Sequence, residues 1–306
     1  MQPLFRKLNI FSYLALALSI VASHFWFQGI PNRTARVEAL VAVRFVPVRL
    51  AAGGFAPLRL AGAWQVEVDD PRFGGISALA IDGGQLLALS DSGSVIRLPR
   101  PGAGGQAMIR DLPAGPSNPR FKRHRDSEAL ARDPLGRGWW VAFENWHELW
   151  LYGPDFRHAL GHLSFGSDRW PVNRGIEALV ADERGMLIFP ETGNEWLEVG
   201  NGRVRAHRLA GRFGQVADAV RLPDGRLLLV ARKFGLAGIA KRLVEFDAGG
   251  AEVRLRSLAR LELGARDNVE AVAVDPLGGG GTRLWLMTDN DFRPRKATLL
   301  VALDLP

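Results

Sequence analysis

Five weakly similar stretches recur along the 306-residue chain, and this internal repeat constrains the fold more than any other feature. Each copy has an apolar run that begins near a polar residue, then a second apolar run that ends in a charged one. Aligned on Ser77, Glu128, Glu177, Asp218 and Glu270, successive copies start 41 to 52 residues apart. A period of roughly 40–50 residues built from short strands is typical of a β-propeller, with one copy per blade.

Strand counting predicts an all-β chain with five four-stranded blades. Apolar and polar positions alternate almost without a break from about residue 58, and no long amphipathic helix is indicated. Four copies are each followed by two more strand-like stretches, whereas the last copy supplies only three strands. We expect residues 64–68 to provide the missing outer strand, so that the N- and C-terminal strands pair in one blade and close the ring. A six-bladed ring would need one further, strongly diverged repeat.

The first 57 residues are expected to lie outside the propeller. A short basic start and an apolar run from about residue 10 to 22 favour a secretory signal peptide at residues 1–23. The alternative is an uncleaved membrane anchor that extends to about residue 28. Residues 24–57 are interpreted as a lead-in segment and residues 58–306 as a single propeller domain. The expected location is periplasmic or secreted or, with the anchor, attached to the inner membrane.

Composition and missing motifs exclude several functions. The chain has no cysteine, which removes disulfides, thiolate metal sites and a cysteine nucleophile. Its net charge of +7 comes without a basic run interleaved with aromatic residues, so nucleic-acid binding is not expected. Neither Gly-x-Ser-x-Gly nor His-Glu-x-x-His occurs, which argues against a serine hydrolase and a zinc metalloprotease. We expect a monomer that binds a small anionic ester or phosphate as its substrate.

Acidic residues recur at the start of the first strand and the end of the second strand of the repeats. In a propeller blade these two positions lie on the same face, so the carboxylates are expected to ring one mouth of the central channel. Like charges at that distance need a compensating cation, and Ca²⁺ is favoured because it takes six to eight oxygen ligands. The candidate metal ligands are Asp91, Glu128, Glu144, Glu177, Glu191, Asp218, Glu270 and Asp289.

Two interpretations of these repeated acids stay open. They could accept hydrogen bonds from neighbouring backbone N–H groups and hold the blades in register, which is a structural role. They could also form a binding site together with basic residues on nearby loops. Departures from the repeat favour the binding site, because Ser77 and Arg232 stand where the other copies carry acids. A site in a pseudo-symmetric ring has to break the symmetry somewhere.

Several short blocks, taken in their order and spacing, resemble the phytase-like propeller family, whose members are described as having esterase-like activity of phytase. The blocks are Arg72–Leu79, Leu89–Gly93, Asp126–Leu130, Asn173–Leu179, Leu222–Gly225, Asn268–Val272 and Thr288–Phe292. The resemblance covers roughly residues 62–304. It implies an exported bacterial propeller that hydrolyses esters or phosphoesters.

The resemblance also implies roles for individual residues, by analogy with the calcium-dependent propeller phytases. Those enzymes use acid-held Ca²⁺ ions and basic side chains to bind a phosphate and activate a water. Glu128, Glu177 and Glu270 would then be catalytic, and the same three with Asp289 would hold the metal. The implied contacts to an anionic substrate are Arg123, Arg125, Arg174 and Arg293, with Arg232 as a further candidate.

The sequence therefore predicts an exported, metal-assisted hydrolase of a small anionic phosphate or other ester. In this mechanism a cation polarises the ester oxygen and lowers the pKa of a water, while arginines neutralise developing charge. The alternative is a non-catalytic propeller of the cell envelope that binds a ligand or protein through the same charged mouth. A third hypothesis, a Ca²⁺-dependent lactonase, requires less basic charge at the mouth.

Overall fold

The computed structural model describes residues 38–118, 121–166, 168–171, 174–209, 214–248, 253–264 and 267–306. The predicted signal peptide and its alternative, the anchor to about residue 28, lie outside the described residues. Within them the chain forms β-strands and four short 3₁₀ turns, with no α-helix. None of the helical segments in these ranges has the length and apolar character needed to span a membrane.

Twenty of the strands form four-stranded antiparallel units, in which consecutive strands pair through short turns. The first unit contains β3 (Ile76–Asp82), β4 (Gln85–Ser90), β5 (Ser94–Leu98) and β6 (Gln106–Asp111). The second contains β7 (Ser127–Arg132), β8 (Trp139–Phe143), β9 (Glu148–Tyr152) and β10 (Ala159–Ser164). The third contains β11 (Ile176–Asp182), β12 (Gly185–Pro190), β13 (Glu195–Gly200) and β14 (Arg203–Arg208). The fourth contains β15 (Gln215–Arg221), β16 (Leu227–Gly235), β17 (Gly238–Asp247) and β18 (Arg254–Arg260).

The fifth unit joins the two ends of the fold. It contains β19 (Asn268–Pro276), β20 (Thr282–Asp289), β21 (Thr298–Leu305) and, as its outer strand, β2 (Arg59–Val68). β2 pairs antiparallel with β21, with Arg59 opposite Asp304 and Val66 opposite Thr298. The first strands of neighbouring units contact one another, and β19 lies against β3, so the last unit returns to the first. The predicted β-propeller and its closure by N- and C-terminal strands are confirmed, whereas the total of five blades stays a prediction.

One strand, β1 (Ala39–Pro47), falls within the stretch interpreted as a lead-in segment. Its first half pairs with β6, from Ala39 opposite Ile109 to Ala42 opposite Gln106. Its second half pairs with β2, from Val43 opposite Val68 to Pro47 opposite Trp64. β1 therefore covers the outer edges of the first and fifth units and merges them into one nine-stranded sheet.

The core consists of five apolar layers, each between two neighbouring units. Successive strand residues point to opposite faces, and the middle strands carry nearly continuous apolar runs, such as Trp139–Phe143 with all five residues buried, so each unit has two packing faces. Trp139 lies in the layer between the first and second units and stacks on Phe156 with ring centroids 6.2 Å apart, and Trp285 lies in the layer between the fifth and first units and is 3% exposed. This packing fixes the innermost strands around the channel, where the candidate site lies.

Candidate metal centre at the mouth of the propeller

A β-bulge lies near the start of the innermost strand of every unit. The pairing register of β3, β7, β11, β15 and β19 skips one residue there. A bulged residue has no ladder partner, and its side chain is re-aimed out of the regular alternation. The residues at this position are Ser77, Glu128, Glu177, Ala217 and Glu270. The bulge thus presents three glutamates, one serine and one alanine in equivalent places around the channel.

The second strand of each unit brings another side chain to the same rim. In each case it is the residue that follows the ladder partner of the residue just before the bulge. The backbone N–H of Asp91 donates to Gly75 O at 2.7 Å, that of Glu144 to Asp126 O at 2.8 Å, and that of Glu191 to Gly175 O at 3.0 Å. The residues at this second position are Asp91, Glu144, Glu191, Arg232 and Asp289.

These side chains meet around a cavity of about 230 Å³. Its lining contains eight carboxylates and one guanidinium. Seven of the eight predicted metal ligands are among them. The charged lining residues are Asp91, Glu128, Glu144, Glu177, Glu191, Arg232, Glu270, Asp289 and Asp291. The structure therefore gathers at one mouth the acids that the repeat places far apart in sequence.

The eighth predicted ligand, Asp218, does not line this cavity. Blade alignment on Asp218 is displaced by one residue, because the bulge in β15 falls at Ala217. A shift of one residue in a strand moves a side chain to the opposite face. Both oxygens of Asp218 accept backbone hydrogen bonds, from Ala219 N at 2.8 Å and from Val272 N in the next unit at 2.7 Å. Asp218 thus has the blade-register role that the sequence left open as an alternative for all the acids.

Two acids that the sequence analysis did not propose as ligands belong to the site. Asp291 lines the cavity, and Asp126 lies close to Glu128 and Glu144. Both occur inside the blocks that carry the family resemblance. Neither follows the strand-end rule used for prediction, because each lies in the loop beside a strand and not at its end. The resemblance was the signal that could have indicated them.

Two groups of three carboxylates are compact enough to share one cation. In each group, one oxygen from every member lies within 4.8 Å of the others. The first group is Asp126, Glu128 and Glu144, and the second is Glu144, Glu177 and Glu191. Glu144 belongs to both, so it is the central carboxylate of the mouth.

Five carboxyl groups of the mouth have raised pKa values: Asp91, Glu128, Glu144, Glu177 and Asp289. Burial is the largest cause, and repulsion from neighbouring acids adds to it. Burial raises the pKa of Glu144 to about 9, with Asp126 and Glu177 as the nearest repelling charges. The pKa of Asp289 is raised to about 8 by burial and that of Glu128 is raised well above its usual value by burial and Asp126. A divalent cation would reverse these shifts, because it favours the charged form.

Arg232 supplies a positive charge on one side of the cavity. Its Nη2 lies 3.3 Å from Glu177 Oε2 and 3.8 Å from Glu191 Oε1, and its Nη1 forms a close ion pair with Glu270. Burial still raises the pKa of Glu177, to about 7, although Arg232 opposes that rise. Three of the acids therefore share one guanidinium on this side.

Lys122 supplies a second positive charge on the other side. Its Nζ lies 2.9 Å from Asp91 and 2.8 Å from Asp126. Burial raises the pKa of Asp91 to about 6, against the lowering effect of Lys122. Glu128 and Glu144 lie next to these two acids and have no direct ion pair with Lys122 or Arg232 among the described contacts.

The other predicted arginines do not line the cavity. Arg125 is 4% exposed, and its Nη1 donates to the backbone carbonyls of Pro116 at 2.7 Å and His124 at 3.0 Å. It is a buried loop anchor. Arg123, Arg174 and Arg293 are exposed and absent from the cavity lining. Of the five arginines expected to contact substrate, only Arg232 lines the cavity, and Arg293 reaches its edge, with Nε 3.7 Å from Asp291 Oδ2.

Unsatisfied oxygen atoms at the mouth fit a hard cation. Asp91 Oδ1 and Asn268 Oδ1 are buried without a hydrogen-bond donor. Gly75 has a φ of +57°, a conformation that favours glycine. A Cβ at this position would lie 2.2 Å from Asp91 Oδ1, so any larger residue would clash with the Asp91 carboxylate. Carboxylate and amide oxygens without donors are ligands that Ca²⁺ accepts. The oxygen ligands at the mouth are therefore of the chemical type that the predicted Ca²⁺ requires.

Fold and site together define a β-propeller with an acidic mouth. The family model described as "Phytase-like: Esterase-like activity of phytase" matches residues 71–292. The chain therefore belongs to the phytase-like family. This match spans every strand of the described units except β2 and β21, and it does not include β1.

Several solved structures are similar to this chain at low sequence identity. Myxococcus xanthus glutaminyl cyclase is 12% identical with a TM-score of 0.51, over 90% of this chain and 100% of that chain. Kuenenia stuttgartiensis hydrazine synthase is 14% identical with a TM-score of 0.41, over 76% of this chain and 66% of that chain. The β-propeller domain of Cps50 (Swd1) from Myceliophteria thermophila is 12% identical with a TM-score of 0.39, over 72% and 81%. A search of curated protein sequences finds no significant match.

Proposed function

We propose that this protein is an exported, Ca²⁺-assisted hydrolase of phosphate or other esters that acts at the acidic mouth of the propeller. The observation that carries the proposal is the cavity in which eight carboxylates face one another with a single arginine in the lining. Such a cluster is destabilised by repulsion unless a cation enters it. Membership of the phytase-like family supports ester hydrolysis as the reaction class.

Asp126, Glu128 and Glu144 are the residues best suited to hold Ca²⁺. Their oxygens converge, and Glu128 and Glu144 lack the guanidinium contacts that Glu177 and Glu270 have. When bound, Ca²⁺ would supply positive charge that polarises an ester oxygen and lowers the pKa of a nearby water. The ion would also offset the charge repulsion that, together with burial, raises the pKa values of Glu128 and Glu144.

Three other residues of the cavity, Arg232, Glu177 and Glu270, would bind the substrate and accept a proton from the attacking water. Arg232 is the arginine placed to hold an anionic oxygen of the ester, because its guanidinium lies in the cavity lining. Glu177 is a suitable proton acceptor, since its pKa of about 7 matches proton transfer near neutral pH. Glu270 contacts Arg232 and accepts a hydrogen bond from Asn268, so it orients the guanidinium.

A binding role without catalysis is the second candidate. Arg232 already contacts three of the acids, so part of the mouth is charge-compensated by the chain's own residues. A mouth of this kind can hold a ligand or envelope protein without a reaction. The two candidates differ in one respect, which is turnover that depends on a metal.

Metal analysis and an ester panel separate the candidates. We expect the purified protein to bind Ca²⁺ and to hydrolyse phosphoesters, carboxylic esters or lactones in a manner that a chelator abolishes. Because Glu144 belongs to both carboxylate groups, Glu144→Gln should lower Ca²⁺ affinity and turnover by roughly 100-fold. Asp224→Asn, an exposed acid outside the cavity lining, is the matched control and should change neither. Absence of both bound metal and chelator-sensitive turnover would overturn the enzyme proposal.

A further inference from the structure

One hairpin rises beyond the rim of the mouth, and it belongs to the unit that carries Arg232. In the other units the second strand ends at or just before the rim residue, at Ser90, Phe143, Pro190 and Asp289. β16 continues three residues past Arg232, and β17 pairs with it as far as Gly235 opposite Gly238. The result is a two-stranded arm beside the cavity.

The arm exposes apolar side chains next to a polar site. Phe234 is 57% exposed, and Leu236, at the turn, is fully exposed. Phe234 is two residues from Arg232 on the same strand, so both side chains leave the same face of the sheet. The Cζ atom of Arg232 lies 5.7 Å from the centroid of the Phe234 ring. An aromatic face thus lies directly beside the one arginine of the cavity lining.

We propose that Phe234 forms an apolar subsite for the organic group of the ester whose anionic group is held by Arg232. The inference rests on the proposed function and specifies its substrate class. An anionic oxygen at the guanidinium places the attached carbon group within reach of the neighbouring ring. Burial of that group against the ring then contributes to binding through the hydrophobic effect and ring packing.

The charge of the mouth supports an ester with few negative charges. Carboxylates outnumber arginine eight to one in the lining, and one divalent ion would leave the lining negatively charged. A polyanion has to approach all of these carboxylates, whereas a mono-ester with an aromatic or alkyl group presents one anionic end to Arg232. The favoured substrate is therefore an aryl or alkyl ester of phosphate or a related acid, and not a polyphosphorylated polyol.

Paired substrates test this subsite. With Ca²⁺ present, we expect the kcat/KM for phenyl phosphate to exceed those for glycerol 3-phosphate and inositol hexakisphosphate. Phe234→Ala should raise the KM for phenyl phosphate about tenfold, leave kcat nearly unchanged and leave glycerol 3-phosphate unaffected. Phe234→Trp should retain the preference. Leu236→Ala, on the same arm but at its exposed tip, is the matched control and should behave like the unaltered protein.

Calorimetry with two non-hydrolysable probes separates the subsite from the reaction. Phenylphosphonate should bind more tightly than methylphosphonate, and Phe234→Ala should remove the difference. If no phosphoester, carboxylic ester or lactone is hydrolysed but this binding difference is found, the hydrolase proposal fails and the subsite stands. If esters are hydrolysed without any preference for the phenyl group, or Phe234→Ala affects all substrates equally, the subsite is overturned while the hydrolase stands. Equal or absent binding of both phosphonates also overturns it.

Discussion

Glu177 and Asp218 are both buried acids near the start of an innermost strand, and their hydrogen-bond partners decide what each can do. Asp218 accepts two backbone N–H groups, one of which comes from the neighbouring unit. Glu177 faces the cavity and contacts Arg232. Burial raises the pKa of both carboxyls, so the direction of that shift alone does not separate a structural acid from a functional one.

Paired substitutions at these two acids should therefore separate stability from activity. Glu177→Gln should lower kcat by roughly 100-fold with little loss of stability, because it removes a proton acceptor at the cavity. Asp218→Asn should leave kcat per folded molecule unchanged and lower the free energy of unfolding by about 1–3 kcal/mol, because the amide nitrogen cannot accept from a backbone N–H. Denaturant unfolding and steady-state kinetics on both variants provide the measurement. A loss of kcat in Asp218→Asn at full folding would contradict the assignment.

The sequence predicted seven of the cavity acids because each lies at the start of a first strand or at the end of a second strand, and the repeat marks both positions. It did not resolve the fourth repeat, where Gln215-Val-Ala-Asp can be aligned with the others in two registers. Only the hydrogen-bonded ladder shows that Ala217 occupies the bulge. The loop arginines show the same limit, since sequence places Arg125 near the mouth but does not give the direction of its side chain, which is inward to Pro116 O.

At the scale of single elements, β1 and the arm of β16 and β17 are the features that the repeat did not predict. The repeat describes what the units share, and these two features occur in one place each. β1 alternates apolar and polar residues as a strand does, yet its pairing with both β6 and β2 depends on contacts distant in sequence. The length of β16 beyond Arg232 likewise has no equivalent in the other copies.

Coverage by β1 should be measurable as slow amide exchange in β6. β10, β14 and β18 are outer strands of their sheets in the described part of the chain, whereas β6 is covered by β1. We expect the outward-facing amides of β6 to exchange at least about tenfold more slowly than those of β10, because their exchange requires separation of a strand pair. A variant lacking residues 1–47 should lose this difference. Equal exchange of β6 and β10 in the intact chain would show that β1 does not stay paired.

At the scale of the whole molecule, the acidic mouth makes stability depend on pH and on Ca²⁺. The pKa values of Asp91, Glu177, Asp289 and Glu144 are raised to about 6, 7, 8 and 9. The folded state therefore binds protons more tightly than the unfolded chain, in which these groups have pKa values near 4. Their contribution to stability is present below about pH 4 and is lost as pH rises to about 9.

Thermal unfolding of the metal-free protein should reveal this dependence. We expect the Tm to fall by at least about 5 °C between pH 5 and pH 9, since several carboxyls must ionise against one another. Added Ca²⁺ should raise the Tm more at pH 9 than at pH 5, because it binds the ionised carboxylates. Mg²⁺, which prefers fewer ligands in a stricter geometry, is the control and should raise it less. A Tm that rises with pH in the presence of chelator would contradict the charge repulsion at the mouth.

Pairing between β2 and β21 also sets an order of events during synthesis. β2 leaves the ribosome among the first strands of the fold, but the partner that buries its edge is the last strand along the chain. Until then β20 also has an open edge, and such edges recruit strands from other nascent chains. β1 keeps β2 near the first unit during this interval, because it holds β6 at the same time. Only when the eight residues of β21 pair with β2 and β20 do both open edges close, so a chain cut short before β21 should be prone to pair with its neighbours.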